Sequence, residues 1–276
     1  MATTIANLGA PAPIGNLLIV DGLNVAFRWK HQNILDFKYD YIRTIESLAK
    51  SYNAGTIIVC ADGGSSYRKE IYPEYKANRK ERFAEQTEQE AKEFEMFMAE
   101  FSDTLTLIRK KYPVFHFKGV EADDIAAYIT QNIEYDDCWL ISSDRDWDLL
   151  ISDTVSRFST VTRKETTVHN WDEHYDFEIE DYISFKCLTG DKGDNVPGVP
   201  GVGPKRAVQL MEQYGTVFDI YDAIPLDGKY KHIQAVNENA EQLLQNVELM
   251  DLVTYSEEAI GEQNTQVIKD TLGKIL

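Results

Sequence analysis

The chain has 276 residues, 43% hydrophobic and 27% charged, which suits a globular protein with one large domain or a domain with a sizeable appendage. Its 28 basic and 46 acidic side chains give −18, which excludes a general basic coat for nucleic acid or an anionic membrane. No apolar run approaches the roughly 18–20 residues of a spanning helix, so no membrane partner is expected.

In chain order, residues 1–16 carry no basic side chain and are interrupted by Pro11 and Pro13, so they read as a flexible leader and not as a signal peptide. The apolar run Leu17–Val20 predicts a strand and ends at Asp21, and Arg28 lies one or two turns into the helix that follows. A second strand, Thr56–Cys60, precedes Asp62. Tyr67–Arg82 is then locally basic, with six Lys and Arg against three Glu. Thr87 and Glu90 have capping-box spacing and open a helix whose face Phe94, Phe97, Met98, Phe101, Leu105 and Ile108 reads as core. A third strand, Val114–Phe117, leads to Glu121, Asp123 and Asp124 at the start of an apolar helix, and a fourth, Cys138–Ile141, leads to Asp144 and Asp146. Val155–Ser159 and Thr166–His169 predict a hairpin-like edge. Strand-length β-branched runs alternating with helical patterns predict an α/β domain with a largely parallel sheet over residues 17–176. Beyond 176 helical spacing takes over, so 177–276 is expected to be a helical region. The three cysteines have no CxxC spacing and read as buried free thiols of a cytoplasmic protein, and the five histidines form no zinc pattern.

The position of the acids matters more than their number. In an open parallel sheet, sites form beyond the carboxyl ends of the strands. Seven carboxylates, Asp21, Asp62, Glu121, Asp123, Asp124, Asp144 and Asp146, follow four predicted strands and would meet on one rim. So many like charges call for a cation. Hard divalent ions take oxygen ligands, keep several waters, and leave room for a substrate phosphate. The alternative is that each acid merely caps a helix. The segment Gly190–Ala207 adds Asp191 and Asp194, and its Gly201–Val202–Gly203 turn leads into a helix near Pro204. Free amides there, beside Lys205 and Arg206, suit a backbone phosphate, although a plain turn between helices remains an alternative.

These motifs together resemble the 5′ nuclease, or flap endonuclease, family, most like its stand-alone phage members. The carriers are Val20-Asp21-Gly22 with Asn24, Asp62, and Tyr75-Lys76-x-Asn78-Arg79. Gly119 to Asp124, Ser143-Asp144-x-Asp146, and Gly190-Asp191-x-x-Asp194-Asn195 running into the glycine turn complete the set. The resemblance implies a PIN-like α/β fold carrying a helical arch, here about 68–105, and a helix–three-turn–helix element for duplex DNA. It implies hydrolysis of phosphodiesters in branched or 5′-ended DNA with two Mg²⁺ ions, Mn²⁺ being a substitute, and a role in phage DNA replication. The family's motif acids map onto Asp21, Asp62, Glu121, Asp123, Asp124, Asp144, Asp146, Asp191 and Asp194. Its arch cations, which address the scissile phosphate, map onto Lys76 and Arg79. K⁺ at the Gly201–Gly203 turn is a further implication. Gly193 and Arg206 stand where many relatives carry Ser and Thr, and no sliding-clamp peptide is visible at Lys269–Leu276.

For DNA, the candidate contacts are Arg28, Arg68 to Arg82, Tyr75 as a stacking platform, and Gly201, Gly203, Lys205 and Arg206. A monomer in the infected-host cytoplasm is expected. A PIN-type ribonuclease and a non-catalytic branched-DNA binder are the competing readings.

Overall fold

The computed structural model describes residues 15–276, so most of the expected leader, and the side chains at 80–82, lie outside the description. Six strands, β1 (Asn16–Asp21), β2 (Ala54–Cys60), β3 (Val114–Phe115), β4 (Cys138–Ile141), β5 (Val155–Phe158) and β6 (Glu165–Thr166), form one sheet in the order β3-β2-β1-β4-β5-β6. Every pairing is parallel except the β5–β6 hairpin. β1 lies between two neighbours and has helices on both faces, which is why Leu17–Val20 is an uninterrupted apolar run and not an alternating one. Leu17, Ile19, Ile58, Cys60 and Leu140 join one core, and Leu18, Val20, Ile57, Val59 and Ile141 join the other, as the two-residue side-chain period requires.

Helices α1 (Gly22–Lys30), α2 (Lys38–Ser51), α3 (Ser66–Ile71), α4 (Ala77–Ala84), α5 (Glu88–Ile108) and α6 (Ala122–Asn132) accompany the sheet. The expected Thr87–Glu90 capping box opens α5, and Phe97, Phe101, Leu105 and Ile108 seal one face of the sheet together with α1 and α2. The third strand is shorter than predicted, ending at Phe115, because Phe117 and Lys118 turn back towards Gly63.

The later part has α7 (Tyr182–Thr189), α8 (Pro204–Tyr214), α9 (Val217–Asp222), α10 (Lys231–Glu238), α11 (Ala240–Met250), α12 (Leu252–Ile260) and α13 (Glu262–Leu272). Helices α7 to α11 share a core of their own, with Leu188, Leu210, Ile220, Val236 and Leu243 at its centre. The expected helical region is continuous in sequence but divided in space. Leu252, Ile260, Ile268 and Leu272 leave that core and pack with Ile125, Tyr128 and Ile129 of α6 beneath the sheet. Among the described residues, no helix is long and apolar enough to cross a membrane.

Candidate active site

Strand register assembles the site. Asp21 pairs with Cys60, two residues before Asp62, while Val20 pairs with Ile141, so Asp21 comes level with Ser142 just past the end of β4. The Ser142 hydroxyl donates to Asp21 at 2.6 Å, and the Asn24 amide donates to the other oxygen at 3.2 Å. Asp62 accepts from the Ala122 amide at 2.9 Å, bringing the end of β2 to the first turn of α6, where Asp123 accepts from the Trp147 indole. Asp144 accepts from the Asp146 amide at 3.0 Å and so caps the short helix Arg145–Leu150. The capping alternative therefore describes Asp21 and Asp144 correctly and is incomplete. A carboxylate can accept about four hydrogen bonds, and the acids that cap also converge.

The rim has two electrostatic regimes. Asp21 is buried at its floor, Asp123 is half-buried, and Asp62 and Asp144 stand at the lip. Burial, with Asp62 and Asp144 adding like charge, pushes the Asp21 carboxyl up to about 8. Burial and then Asp144, Asp62 and Asp21 push Asp123 well above the usual carboxylate range. On the other side the acids have cations. Glu121 meets the Lys76 ammonium, and Asp194 accepts from Arg79 at 2.7 Å, with Lys76 at 3.4 Å. Burial would raise both carboxyls, but Lys76 with Arg68 holds Glu121, and Lys76 with Arg79 holds Asp194, below their ordinary values. A narrow crevice lined by Asp123, Asp146, Asp191 and Asp194 joins the two sides. Among the described residues, no three acidic, His or Cys side chains form a ready-made ligand cage.

The arch cation Lys76 is set by its backbone. It adopts φ +57° and its amide donates to the Asp194 carbonyl at 2.8 Å, which turns the side chain into the rim. Arg79 follows on α4, half-exposed above Asp194.

Three expectations need correction. Asp124 does not face the rim: both its oxygens accept from Arg68 at 2.7 Å, within the protein. Arg68 is itself 2% exposed and also donates to the Leu249 carbonyl at 2.7 Å, so it is a buried tie and not part of a DNA-facing patch. Burial works against its charge, yet Asp124 and Glu121 hold the guanidinium above its ordinary value. Tyr75 is 4% exposed and donates to Asp194 at 2.8 Å, which leaves no ring face for an unpaired base. Arg206 turns back to donate to the Gly201 carbonyl at 2.6 Å, while Lys205 stays exposed at the start of α8, which Gly203 caps. Gly201 has φ +78°, a conformation that favours glycine at the turn. Arg28 is exposed on α1, with its guanidinium 5.8 Å from the Trp29 ring.

Lys186 was missed by sequence reasoning. It is 6% exposed, contacts Asp146, and lies 3.2 Å from Asp191. Burial raises the Asp146 carboxyl to about 6 against the pull of Lys186. A lone lysine inside the apolar run Tyr182–Leu188, five residues before Asp191, was the available signal.

Two family models match, the 5′-3′ exonuclease N-terminal resolvase-like domain over residues 16–176 and the 5′-3′ exonuclease C-terminal SAM fold over 177–269. The flap endonuclease of Escherichia phage T5 is 46% identical over 258 residues, covering 92% of this chain and 89% of that protein. A crystal structure of a phage T5 flap endonuclease, in a pseudo-enzyme-product complex with DNA and metal ions, matches with a TM-score of 0.90 at 44% identity, covering 94% of this chain and 98% of that one. The thermostable DNA polymerase I of Thermus caldophilus is 29% identical over 218 residues, which cover 74% of this chain and 25% of the polymerase.

Proposed function

The chain belongs to the 5′-3′ exonuclease family, and from that premise we propose that it is a structure-specific nuclease that hydrolyses phosphodiesters in branched or 5′-ended DNA, as a flap endonuclease and 5′-3′ exonuclease of phage DNA replication. The observation that carries this reading is a floor of acids, Asp21 and Asp123, whose carboxyls are forced up by burial and mutual repulsion, next to Lys76 and Arg79. Such a floor is unfavourable alone and suits divalent cations. Asp21, Asp62, Asp123 and Asp144 would hold them on one side and Asp146, Asp191 and Asp194 on the other, with Glu121 close to both. When bound, two Mg²⁺ ions, or Mn²⁺ in their place, supply hydroxide near neutral pH and offset charge on the leaving oxygen.

The chain's own residues do the rest. Lys76 and Arg79 bind the scissile phosphate and offset the negative charge that grows on it. Ser142 and Asn24 fix the orientation of Asp21. Lys186 pairs with both Asp146 and Asp191 and holds them adjacent. The Gly203 end of α8 and Lys205 take a duplex phosphate. K⁺ at the glycine turn would compete with Arg206 for the Gly201 carbonyl. The protein acts as a monomer in the host cytoplasm.

The test is a 5′-end-labelled flap duplex with Mg²⁺, with and without EDTA, beside a single-stranded RNA of equal length. Metal-dependent release of the flap near its junction, with RNA spared, is expected. RNA cleaved with the flap intact would replace this reading by a ribonuclease.

A further inference from the structure

The segment 142–148 carries more of the rim than its own two acids, Asp144 and Asp146. The Ser142 hydroxyl donates to Asp21 at 2.6 Å, and the Trp147 indole donates to Asp123 at 2.5 Å. Asp21, Asp123, Asp144 and Asp146 are therefore all placed by one short stretch of chain. Ser142, Trp147 and Asp148 are buried in it, and the Ser142 hydroxyl also accepts from the Asp144 amide at 3.1 Å. The activity proposed above gives no role to whatever holds this stretch in shape.

Both ends of the stretch meet one guanidinium. Arg157 lies on β5, in register with Leu140 of β4, and is 5% exposed. Its Nε donates to the Asp148 carboxylate. One terminal nitrogen donates to the other Asp148 oxygen at 2.8 Å and to the Thr166 hydroxyl on β6 at 3.2 Å. The second terminal nitrogen donates to the Ser142 carbonyl at 3.0 Å. Four of the five N–H groups an arginine carries are thus spent inside the protein, and no rim acid is among their partners. Asp148 also accepts from the Tyr175 hydroxyl, and Tyr182 at the start of α7 donates to the Arg145 carbonyl at 3.1 Å.

Stability alone does not account for an ion pair at this depth. Taking both charges out of water offsets most of their attraction, and an apolar pair of similar volume fills such a position at least as well. What an apolar pair lacks is the planar fork, which bonds a carboxylate on one side and a carbonyl on another in fixed geometry. Here that geometry sets the distance between Ser142 and Asp148, the two ends of the segment. Side chains that orient metal ligands from behind govern how well those ligands hold the ion.

We propose that Arg157, paired with Asp148, is a positioning residue for the reaction: by clamping both ends of 142–148 it fixes Asp144 and Asp146 against Asp21 and Asp123 and so sets the affinity of the rim for divalent cations. This rests on the nuclease reading above, which gives those acids to metal. Arg157 acts through Ser142, whose carbonyl it holds and whose hydroxyl orients Asp21, and through Asp148, which follows Trp147 and its bond to Asp123. Loosening the clamp leaves every acid in the chain and spoils their spacing.

The test compares the wild-type full chain with the Arg157→Met/Asp148→Leu double variant, which removes the fork without stranding a buried charge. Mn²⁺ binding is measured by titration calorimetry without DNA, urea unfolding in EDTA, and single-turnover flap cleavage across a Mg²⁺ series. The expected result is an unfolding midpoint close to wild type with a Mn²⁺ Kd raised at least about tenfold, and a similar rise in the Mg²⁺ concentration that gives half-maximal cleavage. Arg157→Lys keeps a cation for Asp148 but has no fork to reach the Ser142 carbonyl as well. It should also weaken Mn²⁺ binding, by about threefold or more, and it decides the question if the double variant does not fold. Thr166→Val removes the one partner of Arg157 outside the segment and should leave the Mn²⁺ Kd within about twofold. Unchanged Mn²⁺ affinity in the folded double variant or in Arg157→Lys, or an equal loss in Thr166→Val, would make the pair a folding contact and overturn the proposal. A wild-type protein that binds no Mn²⁺ and cuts no flap would overturn the nuclease reading itself, and the proposal with it.

Discussion

Asp21 accepts two hydrogen bonds and still has its carboxyl pushed up to about 8 by burial and by Asp62. An acid raised above its ordinary value of 3.8 takes up a proton on folding, so its contribution falls as pH climbs from about 4 towards 8. In EDTA, Asp21→Asn should therefore stabilise the protein relative to wild type, with a difference that grows between about pH 5 and about pH 8. Urea unfolding at several pH values measures this, and a pH-independent difference would contradict it. Lys186 presents the opposite case. Lys186→Met leaves Asp146 and Asp191 without their cation and should cost about 3–5 kcal/mol in EDTA, part of it recovered on adding Mg²⁺. Unchanged stability would remove Lys186 from its assigned place. None of this was legible in sequence, because charge counting sees neither depth nor partner. By spacing alone Lys186 was a helix residue, Arg68 a member of a basic run, and Tyr75 an available aromatic.

The four main strands were legible because each is a short apolar run bounded by an acid or a turn. The α5 cap was legible because Thr87 and Glu90 carry it locally. The destination of α12 and α13 was not, because an amphipathic pattern says that a face is buried and not against what. Packing of Leu252, Ile260, Ile268 and Leu272 on α6 ties the chain's end to the rim through the helix whose first turn carries Asp123. Arg68 reinforces the same junction, linking α3 to Asp124 on α6 and to the Leu249 carbonyl on α11. Arg68→Met should lower unfolding stability by about 3–5 kcal/mol, since it strands a buried carboxylate. A surface DNA contact would behave differently, raising the Kd for DNA while leaving the unfolding curve in place.

Over the whole molecule, −18 opposes a polyanionic substrate, and two divalent ions would bring it only to about −14. On the proposed reading, binding then falls to local patches: Lys76 and Arg79, Lys205, and Arg28. That inventory predicts a salt slope of roughly four contacts, about −4 for duplex DNA. A slope implying ten or more contacts would mean that a basic surface has been overlooked. The acids and the cations were both readable along the chain. Their division into an uncompensated floor and a paired flank was not, since it depends on which side of the rim Lys76 enters.

The central claim is that the acid floor serves turnover and the cations serve the phosphate. Its most direct test is the cleavage rate and DNA affinity of Asp123→Asn on one flap substrate. A loss of turnover of at least about 100-fold with Kd within a few-fold of wild type is the predicted result. Retained cleavage would contradict it.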